Sequence, residues 1–239
     1  AKKAPLALMT FETHPREFFA KDKNKDGLRI YNLRSKLIAI KSLGVECVFL
    51  VRFNEKFTNL SANDFIKNIL LDKLQAKHVI TGENFCFGKN RQGNKDFLAQ
   101  QANIVGFDYT AYPHLLDAEG EAISSSNIRN LLKQGEMKKV ASLLGQNYHI
   151  SGRVKHGEGR GRKLGFPTTN ITLGKLFMPR YGVYAVRVKI EGQSEVYKAV
   201  ANLGVKPTFG IHAPLLEVHL FDLAQDLYGK RLCVEFIDF

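Results

Sequence analysis

Eleven consecutive residues, Arg160 to Asn170 (RGRKLGFPTTN), set a basic glycine loop directly before a Thr/Asn pair. Gly157, Gly159, Gly161 and Gly165 open the backbone so that N–H groups can converge on anionic oxygens. Arg160, Arg162 and Lys163 add positive charge, and Thr168 and Asn170 add neutral oxygen ligands. Such a stretch can wrap a polyphosphate and hold its metal. Magnesium takes few protein oxygens and completes its shell with water and nucleotide phosphate, which suits a hydroxyl and a side-chain amide. At i and i+2 of an extended segment, Thr168 and Asn170 share one face.

The elements that must carry these groups change character near residue 146. Before it, apolar strand-like runs (Leu6 to Phe11, Cys47 to Val51, His78 to Thr81, Ile104 to Tyr109) alternate with helical patterns at Leu33 to Leu43 and Phe65 to Leu74. That alternation predicts an α/β unit with a parallel sheet. Ser61, with Asp64 three residues on, predicts a helix start. After residue 146 the period is two: Tyr184, Val186, Val188 and Ile190 share one face, Arg187 and Lys189 the other. Glu191, Gly192 and Gln193 supply a turn, and Leu232, Val234 and Phe236 repeat the alternation, predicting a small antiparallel barrel. Two domains follow, 1–145 and 146–239. On β-type alternation Glu217 and His219 point away from Leu216, Val218 and Leu220.

Composition bounds the function class. The 239 residues are 44% hydrophobic and 24% charged, as in a soluble globular protein. No apolar run approaches a membrane helix, so a cytoplasmic protein without a membrane partner is expected. Cys47, Cys86 and Cys233 are too few and too widely spaced for a disulfide framework or a zinc site. The net charge of +12 is spread evenly, with 22 Lys/Arg against 15 Asp/Glu in residues 1–145 and 13 against 8 in 146–239. No basic tail or aromatic-interleaved basic block marks a nucleic-acid partner, and a diffuse surplus suits small anions such as ATP.

The Arg160–Asn170 run resembles the GRxLGFPTAN signature of riboflavin kinases, with Thr169 where that family usually has alanine. GVYAVRV from Gly182, VANLGVKPTF from Val200, LEVHLFD from Leu216 and LYGK from Leu227 continue the resemblance at family-like spacing. It implies that Gly157, Gly161, Arg162, Lys163, Leu164, Gly165, Phe166 and Pro167 cover the ATP phosphates. Thr168 and Asn170 would hold Mg²⁺, and Glu217 would be the base that takes the riboflavin 5′-hydroxyl proton. His219 is read as structural or surface.

In the first half, TFETHPREFF around His14, GENFCFGKNRQG from Gly82 and SSSNIR from Ser124 resemble the FMN adenylyltransferase module of bacterial bifunctional flavin enzymes. The resemblance implies a Rossmann-like nucleotidyltransferase domain ahead of the kinase barrel. Ser124, Ser125 and Arg129, at the start of a helix, would bind phosphate, although a plain serine cap with a surface arginine is the simpler use. His14 and Asn84 join that site, and Phe85 and Phe87 border a flavin pocket or pack a core. The implied substrates are riboflavin, FMN and ATP. A flavin- or nucleic-acid-binding regulatory module on the same scaffold is the alternative, and it would not need Glu217 beside Thr168 and Asn170.

The family's HxGH motif, which engages the ATP phosphates, is formed by none of the seven histidines. Two explanations fit: the chain is a piece of a longer enzyme, short also of the C-terminal helix that the family sets against the barrel, or the adenylyltransferase has decayed while its scaffold persists; the first is the one expected. As it stands the chain should make little FAD. Chromatography after incubation with FMN, ATP and magnesium checks this, and ready FAD formation would overturn it.

Overall fold

The computed structural model describes residues 4–20, 27–155, 168–205, 214–223 and 225–239. In chain order the first elements are β1 (Ala7–Glu12), α1 (Pro15–Phe19), α2 (Leu33–Ser42), β2 (Cys47–Arg52), α3 (Glu55–Thr58) and α4 (Ala62–Asp64). A π-helical stretch (Phe65–Leu71), β3 (His78–Gly82), α5 (Lys95–Val105), β4 (Asp108–Tyr112), α6 (Ser125–Gln134) and α7 (Met137–Leu144) follow. Six strands complete the chain: β5 (His149–Lys155), β6 (Thr169–Thr172), β7 (Gly182–Ile190), β8 (Val196–Val205), β9 (Pro214–Leu220) and β10 (Arg231–Asp238). Two compact units cut across this order, Ala1–Lys21 with Gly44–Ala122 and Asp22–Leu43 with Ile123–Phe239. Among the described residues no helix is long and apolar enough to cross a membrane.

In the first unit β1 pairs with β2 and β3 with β4, both parallel, as the α/β alternation predicts. Parallel strands need a crossover, and α5 supplies the one between β3 and β4. Ser61 caps its helix as read: its Oγ accepts from the Asp64 N–H at 3.0 Å and donates to the Asp64 carboxylate at 2.6 Å. The helix then widens, with the Asp72 N–H reaching Lys67 O. That wider turn aligns Phe65 and Leu70, five residues apart, and both are buried with Ile66, Phe87, Leu98 and Ala102. One expected strand is corrected. Ile104 and Val105 form the exposed last turn of α5 rather than a strand start, because Gly106, at φ +82°, ends the helix in the left-handed conformation and β4 begins only at Asp108.

The second unit is a closed antiparallel barrel in the order β10-β5-β6-β9-β8-β7. The period-two reading holds: Tyr184, Val186, Val188 and Ile190 of β7, and Leu232, Val234 and Phe236 of β10, are buried, whereas Arg187 and Lys189 are exposed. Closure matters because it leaves no unpaired edge. Residues 27–43 belong to this unit through specific contacts. Asn32 Nδ2 donates to Ser151 O at 2.7 Å, Asn32 Oδ1 caps α2 at the Ser35 N–H, and Arg34 pairs with Glu191. Tyr31 lies against His149, ring centroids 4.8 Å apart.

Burial in that seam lowers the His149 pKa, opposed in part by the Asn147 backbone and Glu235 and aided by Lys189. The unfolded chain therefore binds a proton at higher pH than the folded one, so this histidine withdraws stability as pH falls below about 6.5. His149→Gln should flatten the fall in thermal midpoint between about pH 6.5 and 5. Melting curves at a series of pH values check this, and an unchanged slope would remove His149 as its cause.

Candidate active sites

The outer wall of the barrel carries a row of polar residues set by strand register. Lys155 of β5 is opposite Asn170 of β6, Asn170 is opposite Glu217 of β9, and Glu217 is opposite Asn202 of β8. Directly opposed residues on antiparallel strands share a face, so the four line one stripe. Glu217 is half-buried between the inward Leu216 and Val218, and Asn202 Nδ2 reaches its Oε2 at 3.5 Å. Beside them the Thr169 hydroxyl donates to Val218 O at 3.2 Å, a tie between β6 and β9 that alanine could not make.

Asn170 is the unusual member. It is 7% exposed, and its Oδ1 is buried without a hydrogen-bond partner among the described residues. An acceptor stranded in this way costs about 1–3 kcal/mol unless a ligand completes it. A neutral amide oxygen beside a carboxylate suits a hard cation such as Mg²⁺. Thr168 is exposed and sits one residue before β6. The phosphate-loop residues Gly157, Gly161, Arg162, Lys163, Leu164, Gly165, Phe166 and Pro167 lie outside the described residues. His219 faces outward two residues beyond Glu217, edge-on to Phe221.

The adenylyltransferase candidates divide between the units. His14 caps α1 through Nδ1, which accepts from the Arg16 N–H at 3.2 Å, and Asn84 lies exposed just before Phe85. Ser124 is the N-cap of α6, accepting from the Asn127 N–H at 3.2 Å, with Ser125 the first helical residue. Arg129 donates to Leu28 O at 2.9 Å and Ser125 O at 3.0 Å, tying α6 to the segment ahead of α2. Those three residues belong to the second unit, His14 and Asn84 to the first.

The first unit contains a cavity of about 770 Å³. Seven phenylalanines line it, Phe11, Phe19, Phe53 and Phe85 among them, together with Arg16, Lys89 and Arg91. Phe85 stacks on Phe87 with centroids 5.6 Å apart and planes 15° apart, and Phe87 leans on Phe65 at 5.0 Å. Phe87 is buried core, as one of the two expected uses has it, and it also lines the cavity beside half-buried Phe85.

Comparison with known proteins decides the family. Residues 1–127 match the family model described as FAD synthetase, and residues 144–239 the one described as riboflavin kinase. The chain is 39% identical over 235 residues to the bifunctional riboflavin kinase/FMN adenylyltransferase of Haemophilus influenzae, covering 97% of itself and 74% of that relative. The chain belongs to the bifunctional riboflavin kinase/FMN adenylyltransferase family. The Escherichia coli (strain K12) member is 40% identical over 230 residues, 96% of this chain and 72% of that one. A solved chain described as a macrolide-efflux protein from Streptococcus pneumoniae superposes with a TM-score of 0.82 at 30% identity, covering 98% of this chain and 75% of its own. The chain thus has a nucleotidyltransferase-like domain and a kinase barrel, and it is a transferase of flavin cofactor biosynthesis that uses ATP.

Sequence reading passes over Asn202, which register places opposite Glu217, and Arg16, Lys89 and Arg91, which line the cavity. Each lies inside a quoted block: VANLGVKPTF, TFETHPREFF or GENFCFGKNRQG. The available signal was that polar or cationic residues interrupt otherwise apolar or glycine-rich runs, a pattern that surface positions share.

Proposed function

We propose that the barrel phosphorylates riboflavin at the polar row and that the first unit's cavity is the flavin site of the adenylyltransferase. The single observation that carries the kinase assignment is Glu217 held in register between Asn170, with its stranded Oδ1, and Asn202. Glu217 takes the proton of the ribityl 5′-hydroxyl as that oxygen attacks the γ-phosphorus. A new P–O bond forms, the bond to the β-phosphate oxygen breaks, and ADP leaves with FMN as the other product. Thr168 and Asn170 would hold Mg²⁺, which draws charge from the phosphates when bound. The loop Gly157 to Pro167 covers those phosphates, and Lys155, opposite Asn170, adds positive charge to the same stripe.

In the adenylyltransferase half, His14 and Asn84 flank residues that line the cavity, and its phenylalanine surfaces suit an isoalloxazine ring. Ser124, Ser125 and Arg129 serve the nucleotide phosphates at the start of α6. Riboflavin, FMN and ATP are the partners, in the cytoplasm and without nucleic acid or membrane. The test is incubation with riboflavin, ATP and magnesium, with flavins separated by chromatography. FMN formation supports the kinase reading. Riboflavin bound tightly by folded protein but never converted would favour the flavin-binding module instead.

A further inference from the structure

We propose that Asn202 is a positioning residue for the kinase reaction: its side-chain amide holds one oxygen of Glu217 and so aims the other at the substrate hydroxyl. The proposal rests on the reading of Glu217 as the base and adds what orients that base.

Placement in the strand argues first. Tyr197, Ala199, Ala201 and Leu203 alternate with the outward side of β8, which carries Val196, Lys198, Val200, Asn202 and Gly204. Asn202 is exposed, with half-buried Val200 before it on the same face and the exposed Val183 of β7 opposite. Asparagine is depleted from strands, because its short amide bonds readily to nearby backbone groups in other conformations. In the middle of this strand it turns to the neighbouring one instead, and Nδ2 donates to Glu217 Oε2 at 3.5 Å. Directly opposed residues on antiparallel strands keep their Cβ atoms about 4.5–5.5 Å apart, so register alone holds the pair within reach.

The chemistry of the amide fits the task. A general base must be ionised and aimed at the proton it takes. An N–H donated to a carboxylate favours its charged form and fixes the plane of the group, leaving Oε1 for the hydroxyl proton. The amide gives up no proton itself, so it stays on Oε2 while the proton moves to Oε1. A catalytic group has to be held to within about 0.5 Å of its productive place, and a flexible glutamate on an outer wall needs a partner for that. The row has a direction: the stranded Oδ1 of Asn170 lies on the β6 side of the carboxylate and the donor on the β8 side. The titratable side chains that face this stretch, among the described residues, are Lys155 beyond Asn170 on β5 and His219 along β9, while β8 brings none closer than Lys198.

The test is FMN formation by the full chain with Asn202→Ala, Asn202→Asp, Glu217→Gln and the Asn202→Ala/Glu217→Gln double variant, each followed over a range of pH. Asn202→Ala should lower kcat by roughly 10-fold with KM for ATP within about 2-fold, and should move the acid limb of the kcat profile to higher pH by about half a unit. Asn202→Asp has nearly the same shape but is negatively charged and no donor, so it should lose roughly 30-fold with a larger displacement of the limb. Since the position is exposed, both single variants should melt within about 2 °C of the unaltered chain. In the Glu217→Gln background, Asn202→Ala should reduce the residual rate by less than about 2-fold, because the residue acts through the base. A 10-fold loss in both backgrounds, a fall in kcat with the acid limb unmoved, or an Asn202→Asp variant as active as the unaltered chain overturns the proposal and leaves Glu217 as the base. Full turnover by Glu217→Gln overturns the reading of the base, and the proposal with it.

Discussion

Glu217→Gln should lower the rate of FMN formation by about 10² or more while leaving ATP affinity within about 2-fold. Glutamine keeps the volume of the side chain and can still accept from Asn202, so the stripe of β6, β9 and β8 should stay in register. What it lacks is a basic oxygen for the hydroxyl proton. A loss confined to turnover is the expected signature of an interaction made in the transition state rather than in binding. Kinetics with ATP and riboflavin varied separately check this. Turnover within 3-fold of the unaltered chain would remove Glu217 as the base.

Asn170→Leu should separate stability from activity. The native side chain leaves a buried acceptor unsatisfied, at a cost of about 1–3 kcal/mol when no ligand completes it. Leucine fills similar volume without that acceptor, so the metal-free protein should melt a few degrees higher, roughly 2–4 °C per kcal/mol at this size. Kinase activity should be lost at every magnesium concentration, since leucine removes the proposed amide ligand and also fills the space in which a water could replace it, which alanine leaves open. The smaller Asn170→Ala change should instead raise the magnesium needed for half-maximal rate by about 10-fold. A drop in melting temperature with Leu would mean that the amide stabilises the fold. A change in riboflavin affinity alone with Ala would move Asn170 from the metal to the substrate. The trade follows the general rule that functional sites carry groups the fold itself would do better without.

Much of the barrel was legible before any coordinates because its signal is local. A strand buried on one face has a period of two, so Tyr184, Val186, Val188 and Ile190 declare both their strand and their inward face, and Glu217 is placed outward by its own neighbours. Ser61 could be read as a cap for the same reason, since the cap spans only three residues. The end of α5 reads locally like the start of β4 because Ile104 and Val105 are β-branched and strand-like in type, and the left-handed Gly106 after them decides the matter.

The sequence by itself determined the family blocks and the inward and outward alternation of the barrel strands, because each depends on residues within a few positions of one another, and the candidate roles of Thr168, Asn170 and Glu217 came only with the family resemblance that those blocks carry. Tertiary structure alone decided that Asn202 lies opposite Glu217, that Asn170 Oδ1 is left without a partner among the described residues, and that residues 27–43 belong with the barrel. It also decided that phenylalanines from Phe11 to Phe87 enclose one cavity with Arg16, Lys89 and Arg91. Cross-strand register and cavity walls are set by which distant segments pair and pack, and local periodicity is the same for every register that keeps the apolar face inward.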